Sequence, residues 1–255
     1  MKHTKILSLL LAVLLLALLG CGGSDKTAGT TQSGEKTGTV EGAVETAPAA
    51  TEAPQEETPQ EENPQEEAAP AEEGPLTGAL QNNVYTNEYF ALGCTLDENW
   101  RFITREEIAQ FNSETAEMID VEDVKAALEA GSYYIDMAAE ADEGLVHIKA
   151  VIENIGVIYG ITMDESGYID AALENNDLNA MFTAMGMENV KMEKNEVELA
   201  GAAHAGLRVE AEYQGVSIYQ QAVAVKKNSY VMTVICACRD EDILSTMLGY
   251  FYALD

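Results

Sequence analysis

Hydrophobic residues divide this chain into three regions. Ile6 to Leu19 form an almost purely aliphatic run. Residues 22–75 contain no aromatic residue and consist mainly of small residues, threonine, proline and glutamate. From about residue 76 onward, apolar residues recur with the two-residue period of strands and the 3.6-residue period of helices. The pattern predicts a single folded domain over 76–255, preceded by two segments that build no core.

Several segments of the 76–255 region show the apolar pattern of strands. They cover about 90–96, 133–139, 146–152, 207–213, 216–226 and 230–238. Gln214-Gly215 and Lys227-Asn228-Ser229 are typical of turns, so the last three strands should form an antiparallel meander. Between 146 and 153, the alternation predicts that His147, Lys149 and Glu153 face water.

Helices are predicted where an apolar stripe follows a capping residue. Thr104 and Glu107 fit a capping box, and Asp120 and Asp240 are suited to cap helices. The predicted helices cover about 104–111, 120–131, 166–186 with a break near 175–177, and 240–254. Consecutive antiparallel strands with separate helices favour the α+β class, with a twisted antiparallel sheet flanked by helices.

The apolar run near the N-terminus has the layout of a secretory signal peptide. Lys2 and Lys5 precede it, and small residues end it at Leu18-Leu19-Gly20-Cys21. This ending resembles a bacterial lipobox, which predicts cleavage after residue 20 and acylation of Cys21. A transmembrane helix is the alternative, but spanning needs about 20 apolar residues. Ordinary secretion is another. We expect a protein held by lipid on the extracytoplasmic face of the cell membrane.

Residues 21–75 are predicted to form a disordered tether. Pro54-Gln55-Glu56-Glu57 repeats at residues 59 and 64 with a five-residue period. Such a segment cannot bury enough apolar surface to offset its chain entropy. Proline and like charges extend it, and polyproline geometry at about 3.1 Å per residue limits its reach to roughly 170 Å. A recognition role for the repeat is the alternative to a solvated spacer.

The charge of the chain narrows its range of partners. The formal net charge is −30, and acidic residues outnumber basic ones about threefold within 76–255. Such a domain repels phosphates, which argues against nucleic acid and anionic lipid as ligands. Cations and basic peptides remain open as partners, beside the simpler reading that the charge serves solubility.

Two histidines follow the predicted cleavage site, His147 and His204. Nucleophilic catalysis requires a nucleophile, a base and a group that orients the base. The chain has no G-x-S-x-G motif, so we interpret both histidines as structural and expect no catalytic residue. An enzyme whose site is assembled from scattered acidic residues remains an alternative.

The cysteines of the domain are Cys94, Cys236 and Cys238. Three readings stay open: buried free thiols, one disulfide formed outside the cell between Cys94 and either of the others, or a metal or redox site. The usual zinc spacing is C-x₂-C, which Cys236-Ala237-Cys238 lacks. Residues 162–173 hint at a calcium loop, but position twelve is Leu173 and not the required acid. We therefore predict no metal site and no cofactor.

A resemblance to a known family adds to this reading. Tyr89-Phe90, Asn99-Trp100-Arg101-Phe102 and Glu106-Glu107-Ile108 resemble the start of PsbP/DcrB/Mog1-like domains. The Gln214-Gly215 turn, the apolar strand 230–238 and the closing segment 240–254 follow in the same order. The resemblance covers roughly 84–254, and is strongest to Gram-positive lipoproteins with such a domain behind an acidic tether. It implies the α+β fold and no common active site, so it supplies no catalytic residue.

These observations together predict a lipid-anchored accessory or binding module outside the cytoplasm. Its expected partners are the membrane, through the lipid on Cys21, and an envelope protein. A divalent-cation-binding surface protein and an enzyme with an inconspicuous site are the alternatives.

Overall fold

The computed structural model describes residues 76–109, 132–142, 146–174, 177–184 and 186–255. The predictions for the signal peptide, Cys21, the tether and the helix at 120–131 fall outside these residues.

Two antiparallel sheets organise the described residues. The smaller has the order β1-β2-β3-β11. Its strands are β1 (Ala79–Gln81), β2 (Val84–Asn87), β3 (Leu92–Thr95) and β11 (Phe251–Ala253). This second sheet was not predicted. Only β3 lies within a predicted strand, 90–96, because β1, β2 and β11 are three or four residues long and offer too few positions to reveal a period.

The larger sheet has the order β4-β5-β6-β10-β9-β8-β7. Its strands are β4 (Trp100–Phe102), β5 (Tyr133–Ala141), β6 (Val146–Asn154), β7 (Met187–Leu199), β8 (Ala202–Tyr213), β9 (Val216–Lys227) and β10 (Tyr230–Cys238). The predicted α+β class with an antiparallel sheet is confirmed. β10 is central, as its apolar sequence indicates, and β7 lies at one edge.

Helices connect β6 to β7 and precede β11. They are α1 (Gly156–Thr162), α2 (Glu165–Glu174), α3 (Asp177–Ala184) and α4 (Leu244–Leu248), with a 3₁₀ turn at Glu241–Ile243. Residues 105–109 are also helical. The capping box there is confirmed, since Glu107 N donates to Thr104 Oγ1 and Thr104 N donates to a Glu107 carboxylate oxygen.

Both faces of the large sheet are covered. On one face, Val151, Leu207 and Ile235 pack in a cluster with Ile169 of α2 and Phe182 of α3. On the other face, Ile148 and Val234 share a cluster with Tyr85, Leu92 and Phe251 of the small sheet. This double coverage explains why β6 and β10 are almost entirely buried.

The structure corrects the predicted exposure of β6. His147, Lys149 and Glu153 are only 5%, 3% and 4% exposed. Alternation along a strand shows which residues share a face, but not whether that face is covered. The error follows from treating the sheet as covered on one face only.

A bulge interrupts β5. The register between β5 and β6 shifts between Ile135 and Met137, so these residues join opposite clusters although they are two positions apart. The buried bulge residue Asp136 accepts hydrogen bonds from the Tyr85 hydroxyl at 2.5 Å and the Asn87 amide at 2.9 Å. It thereby joins the two sheets.

Two helix predictions also change. The predicted helix over 166–186 is two helices, α2 and α3, in agreement with the break near 175–177. The predicted closing helix over 240–254 is wrong in its second half, because the chain leaves α4 at Gly249 and forms β11. Asp240 does cap this segment, accepting from Asp242 N at 3.1 Å. The helix α1 was not predicted.

Candidate functional site

The edge strand β7 separates two open grooves. Residues 194–196 line one groove, and residues 195–198 line the other. Asn195 and Glu196 border both. The grooves therefore meet along a five-residue stretch at the edge of the large sheet.

The first groove, here called the helix-side groove, has a volume of about 660 Å³. It lies between the start of α2 and the β7–β8 hairpin. Its lining residues are Asp164, Glu165, Ser166, Lys194, Asn195, Glu196, Ala203, His204 and Ala205. Charged and polar side chains dominate this surface, so it suits a polar ligand.

Glu165 and His204 form a pair where β8 and β9 separate. Pairing between these strands begins at Gly206 opposite Val223, so the start of β8 lies beyond the ladder. His204 Nδ1 lies 3.1 and 3.0 Å from the two Glu165 carboxylate oxygens. One of these oxygens also accepts the Lys226 backbone N–H at 2.9 Å. The Glu165 carboxylate thus accepts hydrogen bonds that β8 and β9 do not form with each other where they separate.

The environment favours the charged form of both partners. The hydrogen bond with Glu165 raises the pKa of His204, despite its partial burial. Burial alone would raise the pKa of Glu165, but hydrogen bonds from His204 and the Lys226 N–H lower it. The pair connects the start of α2 to β8, and through Lys226 N–H to β9.

Lys194 is held in place on the same side. Its Nζ donates to Ser166 Oγ at 2.7 Å and to the Asp170 carboxylate at 2.5 Å. Lys194 fixes β7 to the first turn of α2.

The second groove, here called the C-terminal groove, has a volume of about 780 Å³. It lies between the β7–β8 hairpin and the segment 241–251. Asn195 and Gln221 form part of its lining and exchange two hydrogen bonds, of 2.9 and 3.0 Å. A Cβ at Gly206 would lie 2.6 Å from Gln221 Nε2 and 2.7 Å from Asn195 Oδ1. Only glycine leaves room for this amide pair.

Arg208 also lines the C-terminal groove. Its guanidinium pairs with Glu241 at 2.7 Å and with Glu210 at 3.4 Å, and it lies 5.9 Å from the centroid of the Tyr219 ring. Apolar side chains line another part of the groove, namely Val197, Leu244, Leu248 and Phe251. Carboxylates are prominent among its remaining residues, namely Glu196, Glu198, Glu241 and Asp242. The groove combines acidic groups with an apolar surface.

None of the three cysteines of the domain lines either groove. Cys94, Cys236 and Cys238 are free and buried in the cluster between the sheets. Burial raises the pKa of Cys94 to about 12 and that of Cys238 to about 11, and places that of Cys236 well above its usual value. All three are free thiols here, and burial disfavours their thiolate forms.

Two buried titratable groups on β6 also lie outside the grooves. Burial lowers the pKa of Lys149 to about 7 and raises that of Glu153 to about 8. Tyr168 donates a hydrogen bond to Glu153 at 2.7 Å. These groups lie on the face of the large sheet that α2 and α3 cover. Their shifted pKa values therefore affect mainly the stability of the fold.

The groove residues were not identified from the sequence. Asn195, Arg208 and Gln221 lie on three different strands, and their proximity depends on strand order and register. One local signal was available: Gly206 interrupts a strand, which often marks a close approach of other groups. Within the described residues, no group of three or more His, Cys, Asp or Glu side chains is placed to hold a metal ion. Those residues also include no helix long and apolar enough to cross a membrane.

The chain has similarity to known proteins at the level of structure. Neither a family model nor a curated protein matches the chain. Among solved structures, the chain is similar to the PsbP protein CyanoP of the cyanobacterium Synechocystis, with a TM-score of 0.41 and 11% identity over 72% of this chain and 97% of that one. It is also similar to LpqN of Mycobacterium tuberculosis, described as involved in cell envelope biogenesis, with a TM-score of 0.27 and 8% identity over 64% and 83% of the two chains.

Proposed function

We propose that this protein is a lipid-anchored accessory module that binds a partner outside the cytoplasm. The main support for the proposal is the pair of open grooves along β7, in which charged side chains form ion pairs with one another. The signal-peptide layout and Cys21 support the location.

The chemistry of the grooves favours binding over catalysis. Glu165 and His204 are paired with each other, and Lys194 is bound to Asp170. A catalytic base needs a free position within reach of a nucleophile or substrate proton. These side chains instead present a fixed polar surface, as expected for recognition.

The anchor can be tested on the native protein. Mass spectrometry of protein purified from membranes should find residue 21 as the first residue, carrying acyl mass. A Cys21→Ser variant should appear in the medium or retain residues 1–20. Detection of Met1 on the membrane-bound wild type, or an unmodified residue 21, would refute lipid anchoring.

The binding role can be tested with a photo-crosslinking amino acid in living cells. At Glu198, on the C-terminal groove, the crosslinker should join the protein to one specific envelope partner. At the exposed control position Glu106, near the opposite edge of the sheet, the same adduct should be absent. Equal adducts at both positions, or none at Glu198, would argue against a binding role for this surface.

A further inference from the structure

We propose that the outer edge of β7 accepts an extended, basic peptide as an added strand, alongside the two grooves. This inference deepens the proposed binding function and rests on it. It specifies the chemistry of the partner and the way its backbone is held.

The position of β7 supplies the first argument. In the described part of the chain, β7 pairs with β8 on one side, and no strand pairs with its other side. An edge strand presents N–H and C=O groups that can pair with another chain. Addition of a peptide strand to such an edge is a recurrent mode of recognition.

The two grooves supply the second argument. Residues 194–198 separate them, and five strand residues span about 17 Å. An added strand would lie about 4.8 Å from β7, and its successive side chains would point to opposite faces of the sheet. Its side chains would therefore lie on both faces of the sheet, beside residues 194–198 that border the two grooves.

Charge supplies the third argument. The helix-side groove presents Asp164 and Glu196, and the C-terminal groove presents Glu198, Glu241 and Asp242. Carboxylates thus occupy both sides of β7, within a domain that is strongly acidic. A peptide with lysine or arginine on both of its faces is complementary to this arrangement.

The apolar surface of the C-terminal groove fits the same ligand. Val197 and Leu248 lie beside the carboxylates of that groove. Lysine and arginine bury an aliphatic stem while their charged ends remain near polar groups. A second copy of this chain is a poorer occupant, because two strongly acidic domains would repel each other.

The test uses the full chain in detergent micelles and a fluorescent ten-residue peptide in which pairs of lysine and arginine alternate with pairs of valine and threonine, so that basic residues fall on both faces of the strand. Fluorescence anisotropy should report binding that weakens as salt rises. Charge reversal at Glu198 and Asp242 should weaken binding about tenfold. The matched Glu106→Lys variant has the same change in charge per site and should bind like the wild type.

Backbone methylation distinguishes an added strand from general charge attraction. A strand at an edge uses the N–H groups of every second residue. Methylating one alternate set of peptide nitrogens should abolish binding, and methylating the other set should leave it nearly unchanged. Equal effects of the two sets, or equal loss of affinity in Glu106→Lys, would overturn the added-strand inference.

Two further outcomes separate this inference from the proposed function. No binding of the peptide, together with a specific crosslink at Glu198 in cells, would refute the inference and leave the binding module intact. Sedimentation of the wild type as a dimer that the Glu198 variant disrupts would identify a second copy as the occupant and would also refute it.

Discussion

The side-chain amides of Asn195 and Gln221 face each other across β8, and each donates a hydrogen bond to the other. Between them in the sheet lies Gly206, which pairs with Asn195 on β7. The polar lining of the C-terminal groove therefore requires a glycine at position 206.

Replacing Gly206 with alanine should separate this amide pair. The new Cβ would lie within 2.8 Å of Gln221, Asn195 and Val197, and such overpacking costs about 1–3 kcal/mol. Urea unfolding should show the loss as a lower midpoint at an unchanged slope. In the control Gly167→Ala, the Cβ meets its nearest neighbour at 3.3 Å, so stability should change little. A wild-type midpoint for Gly206→Ala would contradict the described lining.

Replacing Glu153 with glutamine should remove a pH dependence of stability. The pKa of Glu153 is about 8 in the folded state, because burial disfavours its charge, against 4.5 for the exposed group. The folded state therefore holds a proton that the unfolded state releases between these values, and stability falls as pH rises from about 4.5 to about 8. At about 1.36 kcal/mol per unit, the loss amounts to several kcal/mol.

The unfolding free energies of wild type and Glu153→Gln should therefore be similar near pH 4.5, and the variant should be the more stable near pH 8. Glutamine keeps an acceptor for the Tyr168 hydroxyl, which lies 2.7 Å from the carboxylate. Glu106→Gln, an exposed change, serves as the control. Parallel pH profiles for Glu153→Gln and wild type would show that Glu153 titrates normally.

Replacing Asp136 with alanine should destabilise the domain by about 3 kcal/mol or more, because buried donors lose their acceptor. Tyr85→Phe removes only the hydroxyl that bonds Asp136 and should cost about 1–2 kcal/mol. Unfolding midpoints measure both, with exposed Glu88→Ala as the reference for an ordinary surface change. A loss for Asp136→Ala no larger than that of Tyr85→Phe would refute the role of this carboxylate as a shared acceptor.

The three cysteines of the domain should resist a thiol reagent in the native state. They are buried, and their pKa values are raised by burial, so few thiolates form near neutral pH. Denaturation should release all three for labelling in the acylated chain. A mass lower by two hydrogens, with one thiol labelled after denaturation, would instead identify the disulfide that the sequence left open.

The parts of the fold that follow from local pattern were predicted correctly. The predicted strand Tyr230–Cys238 has the bounds of β10, and Gln214-Gly215 forms the turn between β8 and β9. Phe251 was misplaced because it lies at a helical spacing from Met247 and Leu248, although Gly249 intervenes and the chain turns there. Local periodicity cannot distinguish a continued helix from a short strand. Here the strand β11 is stabilised by pairing with β3, which is distant in the sequence.

The candidate site depended on long-range contacts and could not be predicted in this way. Glu165 and His204 are 39 positions apart and meet only because α2 packs where β8 and β9 separate. The bulge at Asp136 likewise depends on its bonds with Tyr85 and Asn87 in the small sheet. No periodicity in the sequence encodes these pairings.

The hydrogen bonds of Asp136 have a mechanical consequence. Its carboxylate accepts the Gly78 backbone N–H at 3.0 and 2.9 Å, and Asn87 in turn donates to the Leu76 carbonyl at 2.8 Å. Tension applied ahead of residue 76 would thus reach the large sheet directly through β5, and not only through the three residues of β1. A pull on this end would have to break a buried carboxylate cluster before it could peel the first strand away.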